Sequence, residues 1–142
     1  MNFFKLPPFK PIPKKPGLYA YLPAIIYMIF ITVLLLMPAS DLPKNPFLEL
    51  IYFDKWIHFC IFCMLCFLWA LPGVRYFKHP VRHLIIIAAF CTAYGIITEY
   101  AQKNLTIDRS FDQADIIADA SGVVLGCIAL LYLKKKAISI SH

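Results

Sequence analysis

Four apolar runs separated by short polar segments dominate the hydrophobic pattern of the chain. They cover residues 18–37, 56–71, 84–101 and 116–133. Each is close to the roughly 20 residues that an α-helix needs to cross about 30 Å of hydrocarbon. The first run exceeds the apolar core of a signal peptide, which has about 7–15 residues, so we expect it to be a retained span. The pattern predicts an all-α membrane protein, a bundle of four transmembrane helices.

The polar segments divide the chain further. Residues 1–17 combine lysine with closely spaced proline, which disfavours a helix and predicts a basic, extended arm. Residues 18–134 are expected to form the transmembrane domain. Residues 135–142, which begin within the run of three lysines at 134–136, are expected to form a short tail.

The composition supports a membrane protein. The chain is 61% hydrophobic and 15% charged, against about 45–50% and about 25% in soluble domains. Its net charge of +6 would suggest a nucleic-acid partner in a soluble protein. In a membrane protein, basic residues collect in cytoplasmic loops, so the lipid bilayer is the expected partner and nucleic acid is not. The five cysteines lie in apolar runs, where they are expected to act as small apolar residues.

Acidic and basic residues occupy opposite ends of the predicted helices. The arm, the loop 72–83 and residues 134–142 carry ten basic and no acidic residues, whereas all eight acidic residues lie in the other connections or beside them. The positive-inside rule therefore predicts that both termini are cytoplasmic. The acidic end of the bundle is then expected to face outward from the cytoplasm.

Polar residues with helical spacing mark three helix ends at the acidic side. Residues three, four or seven apart share a helix face, so each set predicts one polar stripe. The sets are Asp54 and His58 on the second span, Gly95, Glu99 and Gln102 on the third, and Asp112, Asp115 and Asp119 on the fourth. A series of small residues, Ala114, Ala118, Gly122 and Gly126, continues the last stripe and predicts close helix packing.

Some of these residues have a purely structural explanation. Aspartate is favoured at a helix N-terminus, which accounts for Asp54, Asp112 and Asp115. Glu99 lies near a helix C-terminus and Asp119 a full turn inside a span, so capping explains neither. Ionisable residues in a span normally face a bundle interior and have partners. The available partners for the carboxylates are Arg109, Lys55, Lys103 and protonated His58.

We therefore take two groups of residues as candidates for a site. The candidate catalytic residues are Asp54, His58, Glu99, Asp115 and Asp119, and the candidate ligand-binding residues are Lys55, Gln102, Arg109, Ser110 and Asp112. A divalent cation could also bridge Glu99, Asp115 and Asp119, since clustered oxygen ligands suit hard cations. No nucleophile or metal-ligand motif in the sequence defines a reaction or a cofactor.

The same residues resemble the VanZ-like family. The resemblance spans about residues 18–134 and rests on Asp54-Lys55-x-x-His58-Phe59-x-x-Phe62, on Tyr94-Gly95-x-x-x-Glu99-x-x-Gln102, and on Arg109-Ser110-Phe111-x-x-x-Asp115 with Ala118, Gly122 and Gly126. At position 119 the family usually has asparagine. The resemblance implies a polytopic bacterial membrane protein, and the family's named member is linked to resistance to the lipoglycopeptide teicoplanin.

Three functions remain open at this point. The first is an envelope-facing site that binds or modifies a lipid-linked cell-wall component, with a carboxylate or His58 as general base and Arg109 holding an anionic group. The second is a scaffold whose polar residues only fix helix packing. The third, ion or proton transport, is disfavoured because the polar residues stop in the outer third of the membrane.

Overall fold

The computed structural model describes residues 16–38, 52–77, 80–106 and 111–140, with side chains up to residue 136. A 3-10 turn, Leu18–Tyr21, leads into α1 (Leu22–Leu35). It is followed by α2 (Phe53–Tyr76), α3 (Pro80–Leu105) and α4 (Gln113–Ile140). With the turn counted as part of α1, all four are long and apolar enough to span a membrane, and the described ranges contain no strand. This confirms the prediction of an all-α, multi-pass membrane protein.

Helix α2 extends beyond the end expected from its sequence. The Pro72-Gly73 pair was expected to close it, yet the helix continues to Tyr76 and includes Pro72. Proline removes one backbone donor, a loss that helices packed in membranes tolerate. Gly73 is buried because the His83 ring of α3 occupies the space where a β-carbon would lie.

Helix α4 also extends beyond its predicted end. The apolar run ends before three lysines, but the helix continues through them to Ile140. Lysine is a good helix former, so the lysines limit the membrane-spanning part without ending the helix. The start of the tail expected from residue 135 is therefore helical.

The tightest packing in the bundle joins α2 to α4. A β-carbon on Gly122 would lie 2.2 Å from the Phe59 carbonyl oxygen, and one on Gly126 would lie 2.7 Å from the Cys63 carbonyl oxygen. The predicted small-residue series therefore faces the bundle at these two positions, while Ala118 is half-buried and Ala114 is exposed. Glycine is required here because the two backbones are in contact.

Helix α1 is attached more loosely than the other three. Its buried residues are Ala24, Ile31 and Leu35, and five of its large apolar side chains are exposed to the surroundings: Leu22, Ile26, Ile29, Phe30 and Val33. Its polar contacts with its neighbours are few. The Tyr27 hydroxyl donates to the Ile61 carbonyl (3.3 Å), and the Thr32 and Tyr94 hydroxyls are 2.7 Å apart.

The two ends of the bundle differ in charge. Helices α2 and α4 begin, and α1 and α3 end, at the same side, where the described acidic residues Asp54, Glu99, Asp112, Asp115 and Asp119 lie. The opposite end carries basic residues, and Lys134 there donates to the Phe77 carbonyl at 3.3 Å. The polar stripes predicted for three different helices thus lie at one end of the bundle.

Candidate functional site

The acidic end contains a group of interacting side chains, here called the polar cluster. It consists of Asp54, Lys55 and His58 from α2, Glu99 and Gln102 from α3, and Asp112, Asp115 and Asp119 at the start of α4. Five of these residues are only 2–8% exposed: His58, Glu99, Gln102, Asp115 and Asp119. Since so many polar groups are withdrawn from solvent, each needs partners within the bundle.

Lys55 connects the start of α2 to the start of α4. Its ammonium group lies 2.9 Å from Asp54 Oδ2 and 2.6 Å from Asp115 Oδ1, and it also contacts Asp112 Oδ2. The Lys55 side chain is 21% exposed and that of Asp115 is 12% exposed, whereas Asp54 is 61% exposed. Lys55 therefore neutralises part of the charge on three carboxylates, and its most shielded contact is with Asp115.

Asp112 acts as the N-cap of α4. Its Oδ1 accepts the Ala114 N–H at 2.8 Å, which satisfies a donor that has no partner within the helix. The hydrogen bond from Lys55 holds the pKa of the Asp112 carboxyl below its ordinary value, and the Ala114 N–H acts in the same direction. The structural explanation of Asp112 from the sequence is thus confirmed, although the residue also belongs to the cluster.

One turn deeper, His58 and Asp119 form a buried pair. His58 Nδ1 lies 2.9 Å from Asp119 Oδ1, and these side chains are only 6% and 3% exposed. Gly95 of α3 makes room for the carboxylate, because a β-carbon there would lie 2.7 Å from Asp119 Oδ2. A carboxylate on one imidazole nitrogen orients the ring and fixes its tautomer, as in sites where histidine transfers protons. Nε2 remains outside this contact.

Only one of the two carboxylate oxygens of Glu99 has a hydrogen-bond partner among the described residues. Its Oε1 accepts the Asp112 N–H at 2.7 Å, which ties the end of α3 to the start of α4. Its Oε2 is buried and has no hydrogen-bond partner among the described residues. A buried polar atom without a partner costs about 1–3 kcal/mol. This oxygen can accept one more donor.

Gln102 makes a structural contact with α1. Its amide Nε2 donates to the Leu35 carbonyl at 2.9 Å, and that carbonyl belongs to the last turn of α1. The last carbonyls of a helix lack partners within the helix, so this bond caps α1 from α3. Gln102 therefore belongs to the same end of the bundle as the carboxylates but faces α1.

The described carboxylates offer one arrangement suited to a metal ion. Oxygen atoms of Asp54, Asp112 and Asp115 lie within 4.8 Å of one another, and hard cations such as Ca²⁺ or Mg²⁺ prefer oxygen ligands. However, the Lys55 ammonium already lies among these three groups. A divalent cation would fit only after Lys55 moved away. Asp119, which the sequence grouped with Glu99 and Asp115 as a cation site, is paired with His58 instead.

The other residues singled out in the sequence are found in different surroundings. Arg109 and Ser110 lie outside the described residues. Asp54 and His58 share a helix face, as expected, but they differ in environment, because Asp54 is in the exposed first turn and His58 is buried. Cys66, which was expected to act as a small apolar residue, lies in the core with its sulfur 3.5 Å from Cys127 Sγ.

Sequence reasoning missed the hydrogen bond between Thr32 and Tyr94. Thr32 also donates to the Met28 carbonyl at 2.6 Å, so the Tyr94 hydroxyl donates to Thr32 Oγ1. The signal was present, since Thr32 is an isolated polar residue in an otherwise apolar span. Such residues commonly form hydrogen bonds between membrane helices.

No model of a known protein family, no curated protein and no solved structure matches this chain. Its function is therefore inferred from the polar cluster itself.

Proposed function

We propose that the protein resides in the bacterial cytoplasmic membrane and that its polar cluster faces the cell envelope, where it binds or modifies a lipid-linked wall component. The orientation follows from charge. Arg75, Arg82 and the lysines 134–136 lie at one end of the bundle and the acidic cluster at the other. Basic ends remain in the cytoplasm, and four crossings return the chain to the side from which it entered.

The observation that carries the proposal is the buried Oε2 of Glu99, which has no hydrogen-bond partner in the part of the chain that the structure describes. A cluster that served only to hold helices together would be most stable with every buried atom paired. Glutamate at this position retains a carboxyl oxygen that can accept a hydrogen bond from a ligand. Asp119 and His58 lie in the same cluster, so a donor bound at Glu99 lies near a group able to exchange a proton.

The resemblance to the VanZ-like family supports the same assignment. It leads us to expect an effect on teicoplanin, whose target is the cell wall. We leave the reaction open, because a ligand that is only bound and a ligand that is chemically modified would both need a hydrogen-bond donor placed at Glu99.

Replacing Glu99 with glutamine tests the proposal. The Glu99→Gln side chain keeps an oxygen for the Asp112 N–H but offers an N–H where Oε2 accepts, so ligand binding should weaken while the fold remains. We expect teicoplanin protection in cells expressing the chain to fall by about tenfold, the effect of about 1.4 kcal/mol in binding. The matched control is Lys103→Gln, at an exposed position one turn along α3, which should behave like the wild type.

The second candidate is the scaffold, because two contacts of the cluster are structural. Gln102 caps α1 and Glu99 Oε1 holds the start of α4. If the scaffold is the whole function, Glu99→Gln should lower membrane level and thermal stability in proportion to any loss of protection. Loss of protection at unchanged stability supports the ligand site. Full protection with Glu99→Gln contradicts it.

A further inference from the structure

The end of the bundle opposite the polar cluster carries five basic side chains, here called the basic ring. They come from three helices: Arg75 from α2, Arg82 from α3, and Lys134, Lys135 and Lys136 from α4. Lys134 is half-buried and the other four are exposed. Among the described residues, this end of the bundle has no aspartate or glutamate that could pair with them.

Helix packing places the three lysines at the depth of apolar residues of α2. Gly126 of α4 lies against the Cys63 backbone of α2, and the two helices run in the same direction. The same offset puts residues 134–136 level with residues 71–73, about 5–8 Å before α2 ends at Tyr76. The lysines therefore leave their helix at the edge of the hydrocarbon region.

Contacts at this end show how the ring is arranged. The Lys134 ammonium group extends toward the end of the bundle, where it donates to the Phe77 carbonyl at 3.3 Å. Lysines near the edge of a membrane extend in this way to bring their charge to the interface. Arg82 is next in sequence to His83, whose ring packs on α2 within a turn of Arg75. The ring is thus a band of positive charge at one level of the bundle.

The helix dipole accounts for only one of the five charges. Cations are stabilised in the last turn of a helix and disfavoured in the first. Arg75 lies in the last turn of α2, but Arg82 lies in the first turn of α3, which has no acidic residue. The lysines precede the last turn of α4, which has no basic residue. The positive-inside rule accounts for the sign of the charge at this end, but not for what neutralises it after insertion.

We propose that the basic ring binds anionic phospholipids of the surrounding membrane in preference to zwitterionic ones. Phosphate oxygens accept hydrogen bonds from arginine and lysine, and basic groups at the edge of a membrane attract anionic headgroups. A zwitterionic headgroup also carries a cation, which the ring repels. The proposal does not depend on the ligand of the polar cluster.

The neighbours of the ring favour a lipid over a soluble anion. On α4, Tyr132 is 65% exposed and shares a helix face with Lys135 and Lys136. On α3, Ile86 is 56% exposed and lies one turn from Arg82. Residues three or four apart face the same way, so one lipid can place its phosphate on the charge and its chain on the apolar neighbour. A soluble anion would make only the first contact.

Tryptophan fluorescence measures the preference on both helices. The full chain is reconstituted in phosphatidylcholine bilayers, and quenching by brominated phosphatidylglycerol is compared with quenching by brominated phosphatidylcholine. Trp69 packs on Phe90, two turns along α3 from Arg82, and serves as the α3 reporter once Trp56 is replaced by phenylalanine. The α4 reporter is Tyr132→Trp in a chain whose two native tryptophans are replaced by phenylalanine.

Both reporters should show about fivefold tighter binding of phosphatidylglycerol, the effect of about 1 kcal/mol for one basic residue near the membrane surface. Raising the salt concentration should reduce this preference, because salt screens exposed charges.

Charge substitutions identify the residues responsible. Arg82→Gln should make binding of the two lipids nearly equal at the α3 reporter, whereas Arg82→Lys should keep the preference. Lys135→Gln combined with Lys136→Gln should remove it at the α4 reporter. Lys103→Gln, at an exposed position near the acidic end, is the matched control and should change neither. Unchanged thermal unfolding shows that each variant is folded.

Three results would overturn the proposal. The first is equal quenching by the two lipids at either reporter in a chain with an intact ring. The second is an unchanged preference in the folded glutamine variants, which would make it a property of the bilayer. The third is loss of the preference when glycerol 3-phosphate is added to the solution, which would show that a soluble anion occupies the ring.

Discussion

At the scale of single residues, the pairing of His58 with Asp119 is the most buried polar contact in the cluster. Removing one partner of such a pair leaves the other buried without a hydrogen bond, whereas a replacement of the same shape can keep the hydrogen bond. The two outcomes can be separated at position 119 by comparing alanine, which removes the partner, with asparagine, which has the shape of aspartate.

We predict that Asp119→Ala lowers the free energy of unfolding by about 1–3 kcal/mol, the cost of an unpaired buried polar group. Asp119→Asn should cost less than half as much, because the amide can still bond His58 Nδ1. Thermal unfolding in detergent measures both, with Ser121→Ala, at an exposed position on the same helix, as control. Equal losses in the two variants would show that the charge, not the hydrogen bond, stabilises the pair.

Asp112 gives a prediction about pH. Its pKa is lowered in the folded state by Lys55, so its contribution to stability is present above its unfolded value of about 3.9 and is lost as pH falls through the folded value. Asp112→Asn removes this contribution. The stability difference between wild type and Asp112→Asn should therefore shrink when the pH is lowered below about 4.

This pH dependence is checked by measuring the unfolding of the wild type and of Asp112→Asn at several pH values in one detergent. Because the Asp112 side chain is 43% exposed, solvent screens the interaction and the difference should be small. A difference that stays constant down to acid pH would contradict the assignment. Asp54→Asn, which affects a more exposed partner of Lys55, provides the comparison.

At the scale of elements, α2 and α4 form the centre of the bundle and α1 its least secured part. The difference arises from residue size. Glycines let α2 and α4 touch through their backbones, whereas α1 meets its neighbours mainly through long side chains such as Tyr27.

The glycine contact predicts a sharp effect of one methyl group. Gly122→Ala places its β-carbon against the backbone of Phe59, which cannot move aside as a flexible side chain can. We expect a loss of stability of about 1–3 kcal/mol, the usual cost of overpacking. Ser121→Ala, one residue earlier and exposed, should change stability by less than about 0.5 kcal/mol. Similar values for both would contradict close packing at Gly122.

Attachment of α1 can be tested at Gln102. Gln102→Leu removes the donor to the Leu35 carbonyl, so the last turn of α1 should open more often. Hydrogen exchange of amides in that turn should become about fivefold faster or more, since 1 kcal/mol corresponds to roughly that factor. Amides of α2 and α4 should be unaffected. Asn104→Leu, an exposed change two residues further along α3, should leave α1 as it is.

The sequence predicted elements better than it predicted their ends or their contacts. Runs of apolar residues identify spans because bilayer thickness sets their length. They cannot locate the end of α2, since whether a helix continues through Pro72 depends on what packs beside it. Helical spacing placed Glu99, Gln102, Asp115 and Asp119 on inward faces, as the structure confirms.

The partners within the cluster could not be predicted in the same way. Spacing along one helix does not say which residue of another helix lies opposite. The sequence offered Lys55 and His58 as alternative partners for the carboxylates, and only the arrangement of α2 against α4 assigns Lys55 to Asp115 and His58 to Asp119.

At the scale of the whole molecule, the separation of charge between the two ends predicts the orientation in the membrane. Asn104→Cys at the acidic end should react with a membrane-impermeant maleimide added to intact cells. Lys136→Cys at the basic end should react only after the cells are broken open. The reverse pattern would place the polar cluster in the cytoplasm and remove the envelope ligand from consideration.

The close contact between α2 and α4 also has a consequence for biogenesis. Helix α2 brings Lys55 and His58 into the membrane before the ribosome has made Asp115 and Asp119, which are their partners. Until α4 is inserted, the nascent chain holds uncompensated polar groups, and the glycine surface that secures the bundle does not yet exist. Chains truncated before residue 113 should therefore be removed by membrane proteases, and insertion of the last helix becomes the step that commits the protein to its final state.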